Sequence, residues 1–301
     1  MTAERMYSSA EEAVRDLYGN LVRVQTKRPV SGGDANDSSL LTLSDGSRIF
    51  IKENSAGRSS FFAAEAQGLS AISMTRTIST PALICRGCDR RRGRSFLMLE
   101  YLEGRAKIPD YWEVFARELA EMHRADTGRF VSGGKYGFLN DNFIGAGEQK
   151  NDPRDSWVSF FVECRLEPQF DKASRYFSPT EKARILNLMD RLGDYLTEPA
   201  HPSLLHGDLW GGNFVTGNDG KAWLIDPAVY VGHAEADIAM TELFGGFSPQ
   251  FYDAYGQEGD LDPGYEDRRD LYNLYHLVNH LNLFGGGYHS SVMRIVTRYS
   301  G

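Results

Sequence analysis

The sequence predicts an α+β fold in two lobes, a small β-rich N-terminal lobe with one helix and a larger helical C-terminal lobe. Three observations carry this expectation. Short apolar or alternating stretches between residues 21 and 102 are separated by turn residues, which is strand patterning. From residue 111 onward, apolar residues recur at helical spacing. Glu103-Gly104 breaks the last apolar run, so the lobes are expected at 1–103 and 104–301, with a small-molecule site in the cleft between them.

Each element has its own signal. Leu21 to Val30 alternates in part, and Ser31-Gly32-Gly33-Asp34 follows as a turn. Ser38 to Leu43 and Arg48 to Lys52 flank Ser44-Asp45-Gly46-Ser47, a hairpin signature. Phe62, Ala66, Leu69 and Ile72 mark the one N-lobe helix, over Phe61 to Ile72. Ser95 to Leu102 reads as a buried strand, and the basic run Arg90-Arg91-Arg92 with Arg94 before it reads as a solvated hairpin turn. Tyr111 to His123 then places Trp112, Phe115, Leu119 and Met122 on one helical face. Further helices are expected from Trp157, over Thr180 to Leu196, and over Tyr265 to Leu283. Between them lie two short β-like pieces, Phe214 to Thr216 and Ala222 to Ile225, joined by Gly217-Asn218-Asp219-Gly220.

Composition narrows the function. The 301 residues, with 41% hydrophobic and 25% charged, are those of a globular chain with a sizeable core. A net charge of −8 argues against a general nucleic-acid partner, because phosphate-backbone binding needs a positive surface. No apolar run approaches the roughly 20 residues of a membrane span, and the N-terminus lacks the apolar core of a secretory signal. Cys85, Cys88 and Cys164 are too few for a disulfide framework, and Cys85-x-x-Cys88 has no second pair or nearby His to complete a zinc site. These features together read as a cytoplasmic protein.

The chemistry centres on LLHGDLWGGNF, residues 204–214, a loop rich in polar groups and closed on both sides by apolar residues. Asp208 and Asn213 are separated by four residues, and Asp226 follows 13 residues after Asn213, at the end of a strand. Phosphoryl transfer uses one Asp to orient the attacking hydroxyl, and an Asn and a second Asp to hold the metal that bridges the phosphates. Upstream, Ile49-Phe50-Ile51-Lys52 is similar to the strand bearing the phosphate-binding Lys of kinases. Glu65, 13 residues further on in the expected helix, could pair with Lys52. Gly32 and Gly33 could cover the phosphates with backbone N–H groups, and Glu100, Tyr101 and Leu102 could present backbone groups to an adenine. Pro227-Ala228 follows Asp226, and Asp237 comes after only ten intervening residues. That interval leaves no room for a peptide-docking segment, so the acceptor is expected to be small, or a small modified group on something larger. Asp237 is expected to receive backbone N–H groups of the loop, and His206 to act as a structural hydrogen-bonder. Trp210 suits either a core anchor or a stacking surface. His280 and Tyr288 are further candidates for the acceptor pocket, with core or surface roles as the alternatives.

Over most of its length the sequence resembles the fructosamine kinase (ketosamine-3-kinase) family, a branch of the aminoglycoside-phosphotransferase-like kinases with a protein-kinase-like fold. The resemblance rests on Phe61-x-x-Glu65-Ala66-x-Gly68-Leu69, Tyr136-Gly137-Phe138, DNFIG at 141–145 and Arg165-Leu166-x-Pro168-Gln169. It continues through HGDLWGGN at 206–213, IDPAVYVGHAEADIAM at 225–240 and LYNLYHLVNHLNLFG at 271–285. It implies Asp208 as catalytic base, Asn213 and Asp226 as magnesium ligands, and Lys52 on the phosphates of ATP. It further implies phosphorylation of ketosamines, as small molecules or on glycated protein lysines, at the C3 hydroxyl, a step that leads to deglycation. Some members carry a cysteine in the glycine-rich loop, where this chain reads SGGDAND. The alternatives are a kinase for another small alcohol, such as an aminoglycoside or a choline-like molecule, and a nucleotide-binding pseudokinase module.

Overall fold

In the computed structural model, residues 6–30, 36–258 and 261–301 are described. Strand β1 (Met6–Tyr7) and helix α1 (Ala10–Tyr18) come first, a pair the sequence patterning did not suggest. The Ser9 side chain caps α1 by accepting from the Glu12 N–H at 3.0 Å, and Glu11 and Glu12 lie in the first turn, where acidic groups favour the helix. Only Ala13 and Val14 are buried, too few for a visible period. Strands β2 (Val24–Pro29), β3 (Asp37–Leu43) and β4 (Arg48–Ser55), helix α2 (Ser59–Thr75), and strands β5 (Leu83–Asp89) and β6 (Arg94–Glu100) complete a six-stranded sheet in the order β1-β5-β6-β4-β3-β2. All its pairings are antiparallel except β1 with β5. The β3–β4 turn forms as expected: Gly46 takes φ +88°, and the Asp45 carboxylate accepts the Ser47 N–H at 2.9 Å. The basic run forms the β5–β6 turn.

Both faces of this sheet are covered, which explains why SFLMLEYL runs apolar without alternation. Ile49, Ile51, Phe96 and Met98 pack with Val14 of α1 on one side. Leu97 and Leu99, with Phe50 partly buried beside them, meet Phe62, Ala66 and Leu69 of α2 on the other. Side chains alternate along a strand, so Lys52 shares the α2 face with Phe50. That parity brings Lys52 to Glu65.

The rest of the chain is mainly helical: α3 (Tyr111–His123), the hairpin β7 (Asn142–Ile144) and β8 (Gly147–Gln149), α4 (Trp157–Phe161), α5 (Glu167–Lys172) and α6 (Pro179–Asp190). Strands β9 (Ser203–Leu205), β10 (Phe214–Thr216), β11 (Ala222–Leu224) and β12 (Tyr230–Gly232) precede α7 (Glu235–Leu243), α8 (Pro249–Gln257), α9 (Tyr265–Phe284) and α10 (His289–Ser300). One large core holds α3, α4 and α9 together, with Phe115, Trp157 and Leu271 fully buried. The fold is therefore a two-lobed α+β, kinase-like fold.

Two helices depart from their sequence patterns. The helix from Trp157 opens into a wider, π-type turn at Val162–Leu166 before α5 resumes. This turn buries Arg165 completely, its guanidinium 3.9 Å from the Tyr230 ring centre and Nη2 donating to Asn151 Oδ1 at 2.8 Å. Helix α6 stops at Asp190 rather than Leu196, and a short 3₁₀ turn, Leu192–Asp194 with Gly193 at its centre, follows. Strand β6 likewise ends at Glu100, two residues before Leu102.

Candidate active site

Strands β9 and β12 pair antiparallel, as do β10 and β11, and the loop 206–213 runs from the first pair into the second. The loop is fastened from below. Asp237 of α7 accepts the His206 N–H at 2.7 Å and the Gly207 N–H at 2.9 Å, and the His123 Nε2 lies 3.2 Å from the same carboxylate. This is the supporting role expected of Asp237. Burial alone would raise its pKa, but these donors reverse the effect and hold it below the ordinary carboxylate range. His206 is fully buried, with Nδ1 accepting from the Asp208 N–H at 3.3 Å and Nε2 donating to the Ile225 carbonyl at 2.9 Å. Burial lowers its pKa, so the ring is neutral and structural. Gly207 has φ +80°, and a Cβ there would strike the Ala228 carbonyl, so only glycine fits.

Above this support, the Asp208 carboxylate accepts from Asn213 Nδ2 at 3.0 Å. Burial, with Asp226 nearby, pushes its pKa up to about 7. Asn213 spends its amide nitrogen on Asp208, which leaves its carbonyl oxygen to the cavity. Asp226 has φ +54° immediately before Pro227, a backbone state that proline already disfavours in the residue it follows. Strain of this kind gathers at functional sites. Asp226 contacts Lys52, whose Nζ also reaches Glu65 Oε1 at 2.7 Å. Burial lowers the Lys52 pKa, but the two carboxylates outweigh it and hold the ammonium above its usual range. Burial, and Asp226 beside it, push Glu65 up. For Asp226 the effect of burial is overcome by Lys52, and its pKa is lowered.

Lys52, Glu65, Asp208, Trp210, Asn213 and Asp226 all line one cavity of about 730 Å³, a volume suited to a ligand of nucleotide size. Trp210 stands at its mouth, 39% exposed and edge-on to Phe244 at 6.4 Å, which removes the core-anchor alternative. His280 stacks on Phe244 at 4.7 Å and meets Phe284 and Tyr288 edge-on. His280 and Tyr288 therefore stand behind Phe284, which does line the cavity. Glu100, Tyr101 and Leu102 are not on this wall. Glu100 accepts the Ala82 N–H at 3.1 Å, and Tyr101 lies under the Arg48 guanidinium at 5.2 Å. Gly32 and Gly33 lie outside the described residues.

Several parts of the wall, among them the two that follow, carry no role in the sequence reading. The β7–β8 hairpin contributes Phe143, Gly145 and Ala146. It is tied to the Asp226 segment by Asn142 Nδ2 donating to the Val229 carbonyl at 2.7 Å and Gln149 Nε2 to the Ala228 carbonyl at 2.9 Å. Arg58, just before α2, is another. A short polar hairpin and a lone Arg in a turn carry no period, so only the DNFIG resemblance hinted at the first.

A β-rich lobe with a paired Lys, facing a helical lobe with an Asp–Asn–Asp set across one cavity, defines a kinase-like phosphotransferase. The sequence profile described as fructosamine kinase matches residues 6–300. A probable ketoamine kinase of Synechocystis is 39% identical over 293 residues, covering 96% of this chain and 95% of that protein. A chloroplastic protein-ribulosamine 3-kinase of Oryza sativa subsp. japonica is 37% identical over 306 residues, covering 98% and 85%. The crystal structure of a candidate fructosamine-3-kinase from Haemophilus somnus superposes with a TM-score of 0.83 at 28% identity, over 98% of this chain and 97% of that one. The chain belongs to the fructosamine kinase family. Among the described residues no helix is long and apolar enough to cross a membrane.

Proposed function

We propose that this kinase transfers the γ-phosphoryl group of ATP to the C3 hydroxyl of a ketosamine, either a small molecule or a ketose adduct on a protein lysine. Residues 1–103 would hold the nucleotide, and residues 104–301 the catalytic loop and the acceptor. The observation that carries the reading is the meeting of Lys52, Asp208, Asn213 and Asp226 on one cavity wall, in a chain of this family.

Asp208 accepts the proton of the C3 hydroxyl as that oxygen bonds to the γ-phosphorus and the bond to the β-phosphate oxygen breaks, releasing ADP. Lys52, held by Glu65, meets the phosphates. The free Asn213 carbonyl oxygen and the Asp226 carboxylate are hard oxygen donors, the kind magnesium takes, so these two residues would hold it. When bound, the ion would neutralise charge on the phosphates. The resulting phosphate sits on the carbon next to the C2 carbonyl. Enolisation toward C1 makes it an allylic leaving group, so the product sheds phosphate to leave an imine at C1, and water then hydrolyses that imine and releases the amine. The enzyme is then a deglycating repair kinase.

The test is incubation of the protein and Mg-ATP with ribuloselysine, fructoselysine, kanamycin and choline, following ADP and free amine. ADP formation with either ketoamine, followed by release of lysine, is expected. Turnover of kanamycin or choline with neither ketoamine would overturn the assignment. The exposed Trp210 and Phe284 rings at the cavity mouth offer flat apolar faces, which discriminate weakly on one hydroxymethyl group, so both ketoamines are expected to react.

A further inference from the structure

We propose that Arg58 is an additional phosphate-binding residue of this cavity, its guanidinium taking the terminal phosphate of the bound nucleoside triphosphate. The proposal rests on the kinase reading above. Arg58 lies six residues after Lys52 and seven before Glu65, directly before the first residue of α2. The segment joining the Lys strand to the Glu helix thus delivers it to the cavity wall.

Among the described residues two cations line the cavity, Lys52 and Arg58, against the three carboxylates of Glu65, Asp208 and Asp226. Lys52 is already shared between Glu65 and Asp226. Arg58 makes no ion pair with a carboxylate of the described residues. Its guanidinium instead lies 5.0 Å from the centre of the Phe61 ring, and Phe61 stacks on Phe143 of the β7–β8 hairpin at 3.8 Å with 13° between planes. The guanidinium thus lies over one aromatic ring that is itself stacked on a second, and no carboxylate of the described residues pairs with it.

A planar fork held in this way is suited to a tetrahedral oxyanion, which it can bind through two parallel hydrogen bonds. With carboxylates outnumbering cations on the wall, a triphosphate entering the cavity meets net like charge unless a cation is free to receive it. Lys52 is engaged and Arg58 is not. On the kinase reading the transferring phosphate lies between Asp208 and the Asn213–Asp226 pair, and Arg58 lines the same cavity.

An acidic group on the acceptor would present similar chemistry, so the experiment separates the two sources. Calorimetry on the wild type, Arg58→Ala and Arg58→Lys uses AMP, Mg-ADP and the non-hydrolysable Mg-AMP-PNP, alongside the KM for ribuloselysine. Arg58→Ala should weaken AMP-PNP by roughly tenfold or more, the scale of one lost charge-assisted hydrogen bond. It should weaken ADP less and leave AMP unchanged, which also shows that the variant is folded. Arg58→Lys should recover part of the loss. The proposal is overturned if Arg58→Ala weakens all three nucleotides alike or none of them, or if only the acceptor KM rises. A wild type that binds no nucleotide would overturn the kinase reading as well.

Discussion

Beneath the 206–213 loop, one buried carboxylate takes two backbone N–H groups and a histidine ring, whereas the mouth of the same cavity ends in exposed rings, Trp210 at 39% and Phe284 at 65%. The base of the loop is saturated with hydrogen bonds; the rim makes aromatic contacts instead. The difference follows from what each region must do. In the proposed reaction Asp208 would have to be fixed against a reacting oxygen, since small displacements cost rate steeply. On the proposed reading the rim would meet the acceptor, for which broad, flat surfaces suffice.

Substitutions at the reacting residues should give the largest effects. Asp208→Asn is expected to lower turnover by about 10²–10⁴, the usual worth of a positioned base, with Mg-nucleotide affinity kept within a few-fold. Steady-state rates and calorimetry with AMP-PNP check this, and complete loss of nucleotide binding would move Asp208 into the nucleotide site. Asp226→Ala should lose both turnover and magnesium-dependent nucleotide binding. If nucleotide titrated with magnesium matches wild type, Asp226 does not hold the metal.

Next in size comes the support under the loop. Asp237→Ala strips the acceptor from two buried N–H groups, at about 1–3 kcal/mol each, so denaturant unfolding should show a loss of several kcal/mol. The Asp237 pKa is lowered in the fold. Its contribution to stability is therefore present above the unfolded value of about 3.9 and is lost as pH falls through the folded value. Wild type should thus lose more stability in acid than Asp237→Asn does. Equal acid slopes would show that Asp237 is not a source of the acid sensitivity.

What was legible in the sequence follows the same division. Period-2 and period-3.6 patterns located the β3–β4 hairpin, α2 and α3, because those elements bury one regular face. The pattern missed α1, which buries only Ala13 and Val14, and it overran α6, where Gly193 ends the regular geometry. The Asp–Asn–Asp spacing marked the loop because that chemistry fixes both residue types and intervals. The β7–β8 hairpin reaches the cavity through tertiary placement, which one-dimensional spacing does not encode, and Arg58 lies between two cavity residues in the chain but in a turn with no period to mark it.

The smallest effect belongs to the rim, and it tests the comparison most directly. The Trp210 indole sits two residues past Asp208 and edge-on to Phe244, and it overlies Gly212 so closely that a Cβ there would collide with the ring. The ring is thus held in place yet largely outside the core. Trp210→Ala removes one stacking face, worth about 0.5–1.5 kcal/mol beyond area burial. The acceptor KM should rise by roughly three- to tenfold, while Mg-AMP-PNP affinity and the melting temperature stay at wild-type values. A melting temperature several degrees lower would return Trp210 to the core. An unchanged KM would mean that the acceptor binds elsewhere, and the contrast between a fixed base and an adaptable rim would fail at this residue.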